Sequence, residues 1–308
     1  MESILRHLVL LFLLIFTLKS YTQTLYAIAG DDDDINRVWS VNASTGDKNP
    51  IIMTGLTRPR GLTLDRDGNL IVATNLIGTN SDIKKYRVAG THIPFTYLSA
   101  GKKAIDIAVK GDGNLGIIDN INNKFYLVDK TTGSIIGSEK SLPIGTNPYG
   151  VAFDASNNIY ISATTQQKVI KSTNGGDTWS DFATGLVLAS DVIVVGNAVY
   201  ASGYYEVRKY NLDGTAYSGF TTITGLSGAN GIAVVGANLY IAAEGKIGSY
   251  NATTGAVINN NFSLGYITLY QLTSSSAIPL PVEITSFIST SAGNAITLNW
   301  ATATEVDN

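Results

Sequence analysis

Cysteine is absent from this 308-residue chain. That excludes disulfides, thiolate metal sites and cysteine nucleophiles together, so packing and strand pairing must hold the fold. Histidine is nearly absent: His7 lies in the opening apolar segment and only His92 follows, so no paired-histidine metal site is available. Charge is scarce too. Asp, Glu, Lys and Arg make up 15% of residues, the formal net charge is −3 and no basic run occurs, which removes the electrostatic footprint of a nucleic-acid binder. No glycine-rich phosphate loop or nucleophile elbow is found. Beyond residue 23 no stretch is apolar enough to cross a bilayer as a helix.

What the chain has instead is 31 glycines and 16 tyrosines, a composition suited to short strands and tight turns. Six glycine turns recur: Asn42-Ala-Ser-Thr-Gly46, Val88-Ala-Gly90, Asp129-Lys-Thr-Thr-Gly133, Asn174-Gly175-Gly176, Asn211-Leu-Asp-Gly214 and Asn251-Ala-Thr-Thr-Gly255. Their glycines are 44, 43, 42, 39 and 41 residues apart. A period of about 40–45 residues with β content is that of one propeller blade. The predicted fold class is all-β, a six-bladed β-propeller of four-stranded antiparallel blades over residues 24–273. Five blades with an irregular cap is the alternative.

The repeat is plainest in Gly61-Leu-Thr-Leu-Asp-Arg-Asp-Gly-Asn-Leu-Ile-Val-Ala73, which aligns without a gap with the segment starting at Asp106. Further copies start at Gly150, Asp191 and Gly231. Each reads as strand, hairpin, strand, with Asp67-Gly68, Asp112-Gly113 and Gly196-Asn197 at the hairpins. Apolar residues such as Leu62 and Leu64 alternate with smaller or polar ones, which predicts one face stacked on a neighbouring blade. A third strand, half-exposed, and a poorer, polar fourth edge strand follow. The opening Leu25-Tyr-Ala-Ile28 matches a second strand, so Tyr266-Ile-Thr-Leu269 is expected to supply the missing strand and close the ring.

Pro59-Arg-Gly-Leu-Thr-Leu-Asp-Arg-Asp-Gly-Asn-Leu-Ile-Val-Ala73 and Pro148-Tyr-Gly-Val-Ala-Phe-Asp-Ala-Ser-Asn-Asn-Ile-Tyr-Ile-Ser162 resemble NHL repeats. They resemble equally the wider superfamily of six-bladed propellers that includes gluconolactonase-like and streptogramin-lyase-like proteins. Fold follows from the resemblance; activity does not, because this fold hosts many functions.

The two ends bear on location. Arg6 and His7 precede Leu8-Val-Leu-Leu-Phe-Leu-Leu-Ile-Phe-Thr-Leu18, a run of signal-peptide length, so residues 1–23 read as a signal peptide cut between Ser20 and Thr24. An uncleaved anchor is the alternative. Residues 274–281 read as a linker and 282–308 as two alternating strands. This last stretch is similar to the segment before the C-terminal sorting domain of Bacteroidetes type IX secretion cargo, where a small fibronectin-like sandwich opens, here truncated. The resemblance implies a secreted protein, extracellular or on the outer cell surface, and a monomer is expected.

Channel-lining candidates are the residues at and just before each first strand: Arg60, Asp106, Tyr149, Asp191 and Asn230. Loops after second strands add Asn75, Asp119, Tyr204 and Glu244. No catalytic residue is assigned. The first reading is non-catalytic binding of a glycan, protein or small-molecule ligand through the channel face or rim, without a cofactor; a structural spacer is a further one. In the alternative, Asp106, Asp191 and Asn230 hold Ca²⁺ through oxygen ligands, and the resemblance to gluconolactonase-like enzymes then implies lactone or sugar-acid ester hydrolysis. That family's glutamate ligand has no match, since Gly30-Asp31-Asp-Asp-Asp34 stands near its place. The streptogramin-lyase pattern needs channel histidines, and His92 falls outside the inner strands as a loop residue. Ser172-Thr-Asn-Gly-Gly-Asp-Thr-Trp179 resembles an Asp-box, a structural hairpin with Trp179 packed under its turn.

Overall fold

The computed structural model describes residues 23–29, 37–53, 56, 58–74, 83–94, 102–263, 269–275, 284–292 and 295–302. Six four-stranded antiparallel sheets form six blades. From inner to outer strand the first blade is Leu269–Ser274, Thr24–Ala29, Arg37–Asn42 and Lys48–Ile52. The others run in chain order, their inner strands being Pro59–Leu64, Ala104–Val109, Pro148–Phe153, Asp191–Val195 and Gly231–Val235. Each inner strand contacts the inner strands of the blades on either side, so the six close into a ring. All six glycine turns of the repeat join a third strand to a fourth.

The strand that closes the ring extends beyond the segment expected. Leu269–Ser274 pairs with Thr24–Ala29, in the register Leu25 with Ser274 and Ala27 with Leu272, and of the expected Tyr266–Leu269 only Leu269 lies within the described residues. Ser274, placed in the linker by the sequence reading, is thus a strand residue and donates to the Val234 carbonyl at 2.9 Å. Ile284–Ala292 and Ala295–Thr302 form a separate two-stranded hairpin.

The core is six seams rather than one centre. Second strands such as Leu70–Thr74 and Ile159–Ala163 are buried throughout, because each blade is packed on both faces. Alternate residues serve different seams: Leu70 and Val72 pack with Tyr26, Ile28 and Val38 of the first blade, whereas Ile71 and Ala73 pack with Ile107 and Leu115 of the third. The expectation of one stacked face is corrected accordingly. Outer strands are short, only two residues in the second, third and fifth blades, which blunts the edges. His92 lies on one of these, its ring 5.4 Å from Tyr86, rather than in a loop. Trp179 packs at the Asp-box turn, its ring 6.3 Å from Phe125.

Tyrosines cross the seams. Tyr200 donates to the Ala252 carbonyl at 2.6 Å, and Tyr240, 40 residues on, donates to the Ala43 carbonyl at 2.8 Å. The second bond spans the closing seam. Lys209 Nζ also donates to the Ala252 carbonyl, at 2.9 Å. Removing the Tyr240 hydroxyl leaves a buried carbonyl short of a donor, whereas Ala252 retains the lysine. In urea unfolding, Tyr240→Phe is therefore expected to cost about 1–2 kcal/mol and Tyr200→Phe less; equal losses would contradict this.

Candidate functional site

Six inner strands meeting on an axis leave little room. At the aligned position the residues are Gly61, Asp106, Gly150, Asp191, Gly231 and, on the closing strand, Gln271. Glycine alternates with a polar side chain from blade to blade. A Cβ on Gly61 would stand 2.6 Å from Asp106 Cα, one on Gly150 2.8 Å from Asp191 Cα, and one on Gly231 2.8 Å from Gln271 Cα. The glycines let the next strand come close, and the three polar side chains fill the axis.

That filling is hydrogen-bonded. Asp106 accepts from the Val151 N–H at 3.0 Å and from Gln271 Nε2 at 3.1 Å. Asp191 accepts from the Ile232 and Val192 N–H groups, both at 2.8 Å. Val151 and Ile232 each follow a glycine of the ring, so each carboxylate clasps the next blade. Both carboxyls are buried. Burial pushes the Asp191 carboxyl up to about 7. Burial, then the Asp191 charge, holds Asp106 well above the usual carboxylate range, against the hydrogen bonds that favour its ionised form.

Above this floor the strand starts are bulged. The pairing skips Arg60 between Pro59 and Gly61, Ile105 between Ala104 and Asp106, Tyr149 within Pro148–Val151, and Tyr270 between Leu269 and Gln271. A bulge re-aims a side chain, and all four skipped residues line one cavity of about 380 Å³. Ser190 and Asn230, just before the unbulged fifth and sixth inner strands, complete one wall residue per blade. Arg58, Asn120, Asp106 and Gln271 also line it. The blade order sets Tyr149 across the ring from Tyr270. The Arg60 guanidinium lies over the Tyr270 ring, 3.9 Å from its centroid. Asn230 is held by its Nδ2 donating to the Leu269 carbonyl at 3.0 Å. A second cavity of about 320 Å³ at the other end of the inner strands has mainly apolar walls, Ile193, Ile232 and Leu272 among them.

Of the residues nominated from sequence, Arg60, Asp106, Tyr149 and Asn230 line the cavity, and Asp191 lies in its floor network through Gln271. Asp119 does not line it. Fully buried, it accepts from the Lys103, Ile121 and Asn122 N–H groups at 2.7, 3.0 and 2.8 Å, and so sets the turn that presents Asn120. Glu244 is exposed in a turn of the sixth blade with φ 48°, outside the cavity wall, and Tyr204 packs on Tyr205. Asn75 and Asp31-Asp-Asp-Asp34 lie outside the described residues. Ile105 and Ser190 satisfy the rule that found Arg60, Tyr149 and Asn230, each standing one residue before a strand's axial position. Tyr270 and Gln271 were missed because the closing strand was placed too early. Arg58 and Asn120 carry no local signal.

For a cation the set is thin. Calcium takes 6–8 oxygen ligands, yet each oxygen of Asp106 and Asp191 already accepts an N–H. Among the described residues no three Asp, Glu, His or Cys side chains cluster as a metal site.

Fold and site together define a six-bladed β-propeller with a polar cavity at the start of its inner strands. No family model matches the chain, and no curated protein does. Similar solved structures include streptogramin B lyase, at 18% identity over 70% of this chain and 72% of that one, TM-score 0.53. A chain of the nidogen/laminin complex is 13% identical over 82% and 98%, TM-score 0.66. A protein of unknown function from Bacteroides caccae is 12% identical over 82% and 98%, TM-score 0.60. At these identities the likeness is one of fold.

The floor makes stability depend on pH. Both carboxyls titrate higher in the folded chain than unfolded, so the stability they contribute at low pH is lost as pH rises through the folded values. Melting temperature should therefore fall between about pH 4 and about pH 8, and Asp106→Asn/Asp191→Asn should flatten that slope. Asp65 and Asp112, whose pKa values are lowered, act below this window. An unchanged slope would contradict the buried pair. Gly150→Ala, which forces a Cβ onto Asp191 backbone, should cost about 1–3 kcal/mol in denaturant unfolding.

Proposed function

We propose that this protein is an exported, non-catalytic β-propeller that binds a small molecule, or the end of a glycan or protein loop, in the cavity at its channel mouth. The observation that carries the reading is the ring of one side chain per blade, set by strand bulges over a polar floor. A volume of about 380 Å³ falls in the range of small-ligand pockets, roughly 300–1,000 Å³. Its lining mixes two phenols, two guanidiniums, three amides and a hydroxyl beside the Asp106 carboxyl, groups that orient a ligand. The floor carboxyls are engaged with backbone and amide donors, which leaves no evident general base.

Export rests on the leader-like residues 1–23, and surface display on the similarity of residues 280–305 to the segment preceding a type IX sorting domain. NHL-type repeats are likewise part of this reading, carried by the segments starting at Pro59 and Pro148. Similar folds occur in a protein titled a lyase and in one solved as a complex, so this architecture accommodates both chemistry and partner binding. The competing reading is calcium-assisted hydrolysis of a lactone or sugar-acid ester, favoured by the proximity of the two carboxyls.

A thermal-shift screen of the full chain against sugars, organic acids and amides separates the readings. A ligand at 100 times its dissociation constant adds about 2.7 kcal/mol, a rise of roughly 5–10 °C. The rise should vanish in Tyr149→Ala and in Asn230→Ala. A rise with Ca²⁺ after EDTA treatment, lost in Asp191→Ala, would favour the hydrolase. No rise with any compound would overturn binding at the mouth.

A further inference from the structure

We infer that the ligand at the channel mouth is a carboxylate carried on a ring, with Arg60, held on Tyr270, taking the carboxylate and Tyr149 facing the ring. This deepens the binding reading above and rests on it. Arg60 is the central feature. Its guanidinium stacks on Tyr270 at 3.9 Å, and among the described residues it has no carboxylate partner. Stacking occupies the face of a guanidinium and leaves its N–H edges available for a planar, two-oxygen anion. A cation fixed at a cavity wall with no internal anion is an arrangement that carboxylates complete.

The rest of the wall fits the same class. Arg58 adds a second positive charge. Among the described residues the only carboxyl in the wall is Asp106, and burial and the Asp191 charge hold it well above the usual carboxylate range, which weakens the floor's opposition to Arg60. Tyr149 and Tyr270 stand three blades apart, on opposite sides of the mouth, and Tyr149 is 43% exposed. Tyr270 is covered by Arg60 and packs on the core of the first seam, whereas the exposed Tyr149 offers an apolar face with a polar tip, suited to a sugar or aromatic ring. Asn120 and Asn230 supply amides for ring hydroxyls, and Asn120 Oδ1 is buried with no hydrogen-bond partner.

The test is calorimetric titration of the full chain at neutral pH and low salt with two matched pairs. Sodium galacturonate is set against its methyl ester, and sodium benzoate against benzamide. A charge-assisted hydrogen bond to Arg60 should make at least one acid bind roughly 10–100-fold tighter than its neutral counterpart. The preferred pair identifies the ring as sugar or aromatic. Arg60→Gln should abolish the preference and Arg60→Lys should retain part of it, while Tyr149→Ala should weaken acid and neutral forms alike. Unchanged melting temperatures show that each variant is folded. Equal binding of acid and neutral forms that Tyr149→Ala abolishes would overturn the carboxylate and leave the binding reading standing. Failure of both acids to bind, or inorganic phosphate competing better than either, would overturn the inference, with the wider screen above deciding whether the mouth binds anything.

Discussion

Everything in this molecule depends on how close six inner strands can come at one axis. Where a glycine faces a neighbour's backbone, the strands approach until a single Cβ would collide. Where aspartate stands, its side chain fills the gap and binds the N–H after the next glycine, and Gln271 fills its own gap and donates to Asp106. Alternation of the two solves a packing problem that six identical residues would not: six glycines leave a hole, and six large side chains do not fit. It also imposes a rough three-fold order on a six-fold ring. In four blades the bulge that aims Arg60, Ile105, Tyr149 or Tyr270 lies one residue before the axial position.

Filling an axis with two carboxyls has an electrostatic consequence. Two like charges a short way apart in a dry interior do not both ionise readily, and the donors supplied by Val151, Ile232, Val192 and Gln271 offset only part of that cost. Both carboxyls titrate above the usual carboxylate range, and Arg60 stands in the cavity wall above them. Packing and protonation are thus one chain of cause: the glycines set the approach, the approach buries the acids, and the buried acids resist the charge that would offset Arg60.

Much of the fold was legible in the residues. Turn glycines at a steady 39–44-residue interval, hairpin Asp-Gly pairs and a chain start that matches a second strand are local signals, and together they point to six blades and an end-to-start closure. The alternation itself stood in the aligned column of Gly61, Asp106, Gly150, Asp191 and Gly231. Its meaning was hidden because the sixth member, Gln271, sits on a strand separated from its own blade by most of the chain. The site was partly legible for the same reason. A rule of position, one residue before the axis, reaches Arg60, Tyr149 and Asn230. It does not reveal that Asp119 is consumed by its own turn, or that Arg60 lies on Tyr270. The first is a set of bonds within one blade that the residue type alone does not announce, and the second is a contact between blades that no local pattern encodes.

The account turns on a carboxyl proton kept at the axis at neutral pH. Carbon-13 NMR of the full chain labelled at aspartate carboxyls, followed through a pH titration with Asp106→Asn and Asp191→Asn for assignment, measures it directly. The account predicts one carboxyl changing near pH 7, Asp106 titrating well above the usual carboxylate range, and a lower Asp106 titration in Asp191→Asn, where the neighbouring charge is gone. Every aspartate titrating in the ordinary range near 4 would contradict it.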